Sequence, residues 1–196
     1  MTLRSVIDLL ALLICSVYCT VPFFWLVVHF FVERWRARGR GGFAVLVPIW
    51  GGFVAVAFCS MWPFRFAQFY ANRLAWAGAA VLFLLGFSLY RAALKGFHHS
   101  QLSGLDELEP DRHRQELITS GIRSRERHPI YLGHLCEVLG WCVGTGLIPL
   151  YALAGFAIIT GALMIALEDR ELEARFGEQY RAYRRAVPAV IPRLVR

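Results

Sequence analysis

Two short clusters of polar side chains have the residue types and spacing to bind a charged ligand, and each lies at the end of a long apolar run. The members of the first cluster are, in order, Arg125, Arg127, His128, Pro129 and Tyr131. Proline favours the first turn of a helix, where free backbone N–H groups and basic side chains bind a carboxylate or a phosphate. The alternative interpretation is that these arginines only fix the orientation of the chain in the membrane. Taken alone, Arg125 and Arg127 favour this alternative.

The second cluster is acidic and follows the last apolar run, with Glu168, Asp169 and Glu171 around one arginine. A carboxylate at this point could accept hydrogen bonds from an ammonium group or from ribose hydroxyls. For Asp169 and Glu171 the preferred interpretation is that they are acids at the start of a tail helix, where the helix dipole favours them. Glu168, the innermost acid, is therefore the candidate binding residue.

His134 and Glu137 lie deeper in an apolar run and share a helix face, because they are three residues apart. An ionisable group inside a span is a functional candidate by default, so both are predicted to be catalytic, as groups that orient a substrate or take its proton. A structural hydrogen bond between helices is the alternative. The remaining histidines are interpreted as core or interfacial residues without metal-ligand spacing, so no metal is predicted: His29, His98, His99 and His113.

The composition indicates the kind of structure that holds these residues. The chain has 196 residues, of which 57% are hydrophobic and 18% charged, with a mean hydropathy of +0.49. These values exclude a soluble globular enzyme and a disordered chain. The net charge of +7 would suggest nucleic acid in a soluble protein. Because the basic residues fall between apolar runs, they indicate membrane topology and anionic headgroups instead.

Several familiar chemical signatures are absent from the sequence. The five cysteines all lie in apolar runs without a C-x-x-C pair and are predicted to be small buried hydrophobes. There is no G-x-G-x-x-G, no G-x-x-x-x-G-K-[ST] and no G-x-S-x-G motif. A nucleotide-like cofactor would therefore not bind in a Rossmann crevice.

The apolar runs predict an all-α, polytopic membrane protein with about five transmembrane helices. The predicted spans are residues 6–32, 43–62, 74–94, 130–147 and 149–167. The last two are joined by an uncharged stretch with two glycines and are predicted to form a tight helical hairpin. Residues 168–187 have an apolar face at helical spacing and predict an amphipathic cytosolic helix that ends at Pro188. It would lie on the membrane surface or cap the loop before helix four.

The distribution of charge predicts the orientation and the organisation. Eighteen of the 21 Lys and Arg fall on one side of a five-span arrangement, so the N-terminus is expected outside and the C-terminus in the cytosol. The chain reads as one integral membrane domain, 1–196. Within it, 1–94 form a three-helix membrane part, and 95–196 hold a cofactor-binding loop, the hairpin and the tail. The expected membrane is the bacterial inner membrane, or the endoplasmic reticulum in a eukaryote.

Taken together, the two clusters resemble the isoprenylcysteine carboxyl methyltransferase family, whose broader group includes phospholipid N-methyltransferases. The first shared motif is Arg127-His128-Pro129-x-Tyr131-x-Gly133. The second is Glu168-Asp169-x-x-Leu172-x-x-x-Phe176-Gly177-x-x-Tyr180-x-x-Tyr183-x-x-x-Val187-Pro188. The resemblance covers about residues 117–192, and in the first half only the hydropathy is similar.

The resemblance implies a cytosolic pocket for S-adenosylmethionine, formed by the loop before helix four, the hairpin and the tail, with S-adenosylhomocysteine as product. Carried over by position, the cofactor-binding residues are Gln115, Glu116, Leu117, Ile118, Arg127, His128, Pro129, Ile130, Tyr131 and Glu168. Two positions depart from the pattern: Arg123 stands where the family usually has Tyr, and Met164 where the prenylcysteine enzymes have a substrate-binding arginine. The second departure argues against the same way of holding a prenylcysteine carboxylate.

The expected function is methyl transfer to a lipophilic acceptor that enters from the bilayer: an isoprenylcysteine-like carboxylate, a phospholipid amine or another small apolar molecule. The choice among O-, N- and S-methylation stays open, as does the oligomeric state. One alternative is an NADPH-dependent enzyme that resembles the sterol reductases, which share a similar R-H-P-x-Y-x-G motif. The chain length and Tyr180, where those proteins usually have Trp, favour methyl transfer. The other alternative is a non-catalytic membrane protein that assembles with partners.

Overall fold

The described part of the chain is helical. The computed structural model describes residues 2–39, 41–95 and 116–192, and within these ranges no strand occurs. The helices of the described residues are α1 (Leu3–Tyr18), α2 (Val21–Phe30), α3 (Val32–Arg36), α4 (Gly41–Met61), α5 (Ala75–Leu94), α6 (Pro129–Thr145), α7 (Ile148–Phe176) and α8 (Glu178–Ala186). Short 3₁₀ turns occur at Trp62–Phe64 and Gly121–Ser124. The predicted all-α polytopic fold is confirmed.

Four stretches of the described residues are long and apolar enough to cross a membrane: Leu3–Phe30, Gly41–Phe64, Ala75–Leu94 and Ile148–Phe176. The fourth predicted span is α6, which has 17 residues. At about 1.5 Å per residue it is about 25 Å long, slightly less than the roughly 30 Å of a bilayer's hydrocarbon core. The helix is therefore the short arm of the hairpin.

The hairpin turns at Gly146, which caps α6 with a left-handed backbone (φ +70°) and donates its N–H to the Cys142 carbonyl. A side chain at this position would collide with the Tyr70 carbonyl oxygen, so glycine is required for space as well as for conformation. The connection between α4 and α5 covers the turn, because the Phe69 N–H donates to the Gly146 carbonyl at 2.9 Å. The predicted hairpin is confirmed.

The helices of the hairpin pack against different neighbours. α6 lies closely against α5, where Gly86 and Gly133 allow the two backbones to approach. α1 packs on the other side, against both α6 and α7, and forms the apolar core with them. Large apolar side chains on α4 and α5 are exposed, for example Ile49, Val56, Leu84 and Phe87, as expected for surfaces that face lipid. Four of the five cysteines are buried, as predicted, but Cys59 is exposed, and all five are free.

The tail differs from the single helix predicted over 168–187. α7 does not end where its apolar residues end but continues to Phe176. The chain then breaks at Gly177, whose positive φ of 55° interrupts the helix, and α8 follows as a separate helix. α8 stops at Ala186, just before Pro188, as the sequence predicts.

Candidate functional site

The candidate site forms where the start of α6, the end of α7 and the tail meet at one end of the bundle. Two consecutive backbone hydrogen bonds join the loop before α6 to the tail: the Arg127 N–H donates to the Pro188 carbonyl and the His128 N–H to the Ala189 carbonyl, both at 2.9 Å. The tail is expected either to lie on the membrane surface or to cap the loop before α6, and it caps the loop. The two sequence clusters are therefore brought together.

Asp169 lies at the centre of this site and is only 3% exposed. Its Oδ1 accepts hydrogen bonds from the His128 ring at 3.0 Å and from the Tyr180 hydroxyl. Its Oδ2 accepts one from Arg127 Nη2 at 2.7 Å. The expectation that Asp169 stabilises a helix start is wrong, because α7 runs past it and no N-terminal dipole is present there. The carboxylate instead links the loop, α7 and α8.

His128 lies between the two acids of α7. Its Nε2 faces Asp169 and its Nδ1 is 3.4 Å from Glu168 Oε2. Burial disfavours the imidazolium, but the two carboxylates outweigh that effect and raise the pKa of His128 to about 9. The ring therefore carries a positive charge near neutral pH, donates a hydrogen bond to Asp169 and forms an ion pair with Glu168.

Arg127 is engaged by the protein itself. In addition to Asp169, its guanidinium donates through Nη1 to the Val187 carbonyl at 2.9 Å and to the Arg184 carbonyl at 3.1 Å. Its Nε is buried without a hydrogen-bond partner. These contacts hold the end of α8 against the loop, and they leave Arg127 little capacity for a direct ligand contact.

Of the two acids beside His128, Glu168 is the one that can still accept a hydrogen bond from a ligand. Its side chain is 27% exposed, compared with 5% for Asp169. Its Oε2 faces His128 but has no hydrogen-bond partner. Glu168 can therefore accept a hydrogen bond from a ligand without losing its contact with His128.

The other sequence-predicted positions lie around this centre. Pro129 is buried in the first turn of α6, and Ile130 and Tyr131 are partly buried behind it. The Tyr131 hydroxyl donates to the Met164 sulfur at 3.1 Å. Leu117 and Ile118 are partly buried and Glu116 is exposed, whereas Gln115, His98, His99 and His113 lie outside the described residues.

His29 and Glu171 join the two halves of the chain next to the site. His29, on α2, is buried and its Nδ1 is 2.9 Å from Glu171 Oε1. Arg36 approaches the other oxygen of Glu171 at 3.7 Å. The expectation that Glu171, like Asp169, acts through a helix dipole is wrong. It instead ties α7 to α2 and α3, because α7 continues beyond the apolar run.

Arg123 and Glu126 are two further buried charged residues in the described part of the loop before α6. Arg123 donates to the Ala93 carbonyl at 2.9 Å, and its own carbonyl accepts from the Tyr183 hydroxyl at 2.7 Å. Burial lowers the pKa of the Arg123 guanidinium. Glu126 is fully buried, neither carboxyl oxygen has a hydrogen-bond partner, and burial raises its pKa to about 7.

His134 satisfies a backbone carbonyl that proline leaves free. Pro22 has no N–H to donate to the Tyr18 carbonyl four residues earlier, and His134 Nε2 lies 2.8 Å from that oxygen. Nε2 must therefore carry the proton, and Nδ1 is left to accept from the Tyr90 hydroxyl at 3.3 Å. Glu137, one turn along α6, is only partly buried and is the better candidate for an acceptor-side base.

The central role of Asp169 is not predicted from the sequence. The available signal is Tyr180, because a tyrosine on the predicted inner face of the tail can donate to a buried acid. The burial of Glu126 and the contact between His29 and Glu171 are not predicted either, and no spacing in the sequence indicates them. Within the described ranges, no group of three His, Cys, Asp or Glu side chains could hold a metal ion.

The chain is similar in sequence to two curated methyltransferases from Bradyrhizobium diazoefficiens. It is 36% identical to methanethiol S-methyltransferase 2 over 104 residues, which cover 53% of this chain and 36% of that protein. It is 34% identical to methanethiol S-methyltransferase 1 over 119 residues, which cover 59% of this chain and 39% of that protein. The chain thus spans less than two fifths of the length of these relatives. No family model and no solved structure matches it.

Proposed function

We propose that this chain is a membrane methyltransferase that takes its methyl group from S-adenosylmethionine and transfers it to a lipophilic or small apolar acceptor. The observation that carries the proposal is the Asp169 cluster, which joins the two sequence motifs and leaves Glu168 with an unused hydrogen-bond acceptor. The likeness to two proteins named as methyltransferases supports the same reaction class.

The residues present fit such a cofactor. S-adenosylmethionine carries an ammonium group and ribose hydroxyls, which are hydrogen-bond donors, and Glu168 Oε2 is a buried acceptor without a hydrogen-bond partner. His128 and Arg127 are positioning residues in this proposal. They hold the two acids of α7 in place, and their charges make a buried pair of carboxylates tolerable. Tyr131 offers a ring face beside His128, with the two ring centres 5.8 Å apart.

The acceptor side is proposed to lie along α6, towards Glu137 and His134. S-adenosylmethionine held by Glu168 would supply an electrophilic methyl group to the nucleophilic atom of the acceptor, and S-adenosylhomocysteine would leave with the electron pair of the C–S bond. The enzyme mainly aligns the reacting atoms for this in-line displacement. Glu137 takes the proton that the acceptor loses, and His134 keeps α1 and α6 in register around it.

Small thiols are the first acceptor class to test, because both relatives are named for methanethiol S-methylation. Met164 is fully buried at the position where the resemblance leads us to expect a substrate-binding arginine. This finding favours an acceptor without a carboxylate. The C-terminus and the site are proposed to face the cytosol, where S-adenosylmethionine is made.

The test is transfer of a labelled methyl group by the purified protein in lipid nanodiscs. Separate reactions contain an alkane thiol, a prenylcysteine analogue or phosphatidylethanolamine, and the products are identified by mass spectrometry. In the reaction that contains the thiol, we expect S-adenosylhomocysteine and the methylated product to form in equal amounts. Formation of neither product with any acceptor class, by folded protein, would contradict the proposal. Binding of NADPH instead of S-adenosylmethionine would assign the chain to the reductase alternative.

A further inference from the structure

An apolar groove lies at the junction of α2, α3 and α4, and none of its lining residues belongs to the Asp169 cluster. It encloses about 490 Å³, within the range of about 300–1,000 Å³ that is typical of ligand pockets. It is lined by Val27, Phe31, Arg34, Trp35, Arg38 and Val45. We call it the Arg34/Arg38 groove.

Two arginines at the groove stack on aromatic rings and form no ion pair with the described residues. The guanidinium of Arg34 lies 5.3 Å from the ring centre of Phe31, and that of Arg38 lies 5.8 Å from that of Trp35. Among the described residues, neither pairs with a carboxylate. Arg36, which lies between them, pairs with Glu33 at 2.9 Å. The charges of Arg34 and Arg38 are therefore not neutralised by the described carboxylates and can bind another anion.

The walls of the groove are held in place and include exposed apolar side chains. The Trp35 indole N–H donates to the Val27 carbonyl at 3.3 Å, which fixes the aromatic wall against α2. Phe31 and Val45 are 37% and 46% exposed. The groove lies where the Leu3–Phe30 span ends and the Gly41–Phe64 span begins. This is the depth at which lipid headgroups meet acyl chains.

We propose that the Arg34/Arg38 groove binds one anionic glycerophospholipid from the surrounding bilayer. The two guanidinium groups bind the phosphate, and an acyl chain lies on the apolar wall formed by Val27, Trp35 and Val45. A net negative headgroup is preferred to a zwitterionic one, because a choline cation would be repelled by the same two arginines. The site is independent of the methyl-transfer proposal.

The first test is native mass spectrometry of the protein purified with equal amounts of phosphatidylglycerol and phosphatidylcholine. Wild-type protein should retain phosphatidylglycerol, and Arg34→Gln/Arg38→Gln should bind it about thirtyfold more weakly, or about fivefold for each charge. Arg65→Gln is the matched control, since Arg65 stacks on Trp62 at 4.6 Å but lies at the other end of α4. It should behave like the wild type.

A second measurement needs only one conservative variant. The difference in tryptophan fluorescence between the wild type and Trp35→Phe gives the emission of Trp35. Phosphatidylglycerol with brominated acyl chains should quench this emission, and brominated phosphatidylcholine should quench it less. Equal retention or equal quenching of the two lipids would overturn the proposal. Displacement of the retained lipid by excess inorganic phosphate would also overturn it, because the ligand would then be a free anion. A change from dimer to monomer in the double variant, with lipid retention unchanged, would assign the groove to a second copy.

Discussion

His128 and Asp169 are 41 residues apart in the sequence, and the His128 Nε2 atom lies 3.0 Å from Asp169 Oδ1. This contact connects the residue before α6 to the C-terminal part of α7, which we propose faces the cytosol. Because Tyr180 donates to the same oxygen, it also fixes α8. One buried carboxylate therefore determines how three parts of the chain meet.

Replacing Asp169 with Asn should destabilise the protein strongly. The change leaves the charges of Arg127 and His128 without their buried partner, which costs about 3–5 kcal/mol in comparable buried pairs. Chemical unfolding in detergent measures the free energy of unfolding. Glu178→Gln is the control, since Glu178 pairs with Arg181 and Arg185 at the exposed surface of α8, and little change is expected there. Equal stability of the two variants would contradict the role of Asp169.

Stability should fall as His128 loses its proton. The pKa of His128 is about 9 in the folded protein, compared with 6.5 for a histidine in the unfolded chain, so the folded state favours the imidazolium. This stabilisation is complete below about pH 6.5 and is lost as the pH rises through about 9. The unfolding midpoint of the wild type should drop across this window, and that of His128→Gln should drop less. Parallel curves for the two proteins would show that His128 does not titrate in this way.

Glu126→Gln should stabilise the protein at alkaline pH. Burial raises the pKa of Glu126 from 4.5 to about 7, so the folded state favours the neutral acid. Its contribution to stability is complete below about pH 4.5 and is lost as the pH rises through about 7. The variant should therefore unfold at a higher temperature than the wild type at about pH 8 and at nearly the same temperature at about pH 4.5. Glu116→Gln, at an exposed acid, should have no such pH-dependent effect.

Gly86→Ala should weaken the contact between α5 and α6. An added Cβ would lie 2.8 Å from Glu137 Cγ and 2.9 Å from the Gly133 carbonyl oxygen, and a backbone oxygen cannot move aside easily. Overpacking of this kind costs about 1–3 kcal/mol. Gly78→Ala on the same helix is the control, because its Cβ would meet Val143 at an ordinary 3.6 Å. A thermal unfolding midpoint as high for Gly86→Ala as for Gly78→Ala would refute the close approach.

Glu137→Gln should lower turnover without weakening cofactor binding. If Glu137 accepts the proton of the methyl acceptor, its loss should slow the reaction by about 10²–10⁴-fold. Turnover is measured with the acceptor identified in the nanodisc assay, and affinity for S-adenosylmethionine is measured in parallel. Unchanged turnover would exclude Glu137 as the base.

Most of the fold could be predicted from the sequence, because long apolar runs, Pro129 and the Gly-rich turn each report local structure. The length of α7 could not. Helix α7 continues through charged residues to Phe176, and the apolar pattern that located the span ends earlier. The break in the predicted tail helix depends on the positive φ of Gly177. The apolar residues around Gly177 keep helical spacing, so the pattern gives no sign of the break.

The site could be located in part, since the sequence places His128 and Glu168 at the ends of neighbouring helices. The role of Asp169 could not be predicted because it depends on Arg127 and Tyr180 folding back onto α7, a long-range event that spacing along one helix cannot show. The depth of His134 in the predicted span makes it a candidate functional residue. Its contact with the Tyr18 carbonyl arises because Pro22, far away in the sequence, leaves that carbonyl without a donor.

The most direct test of the proposed cofactor site is the affinity of the purified protein for S-adenosylmethionine, measured by equilibrium dialysis. We expect the wild type to bind it and Glu168→Gln to bind it at least about tenfold more weakly, as for the loss of a hydrogen bond to a charged group. Glu173→Gln, a change in an acid that pairs with Arg181 and Arg184 on the outer side of the tail, should bind like the wild type. Absence of binding by the wild type, or equal affinity in Glu168→Gln, would contradict the assignment.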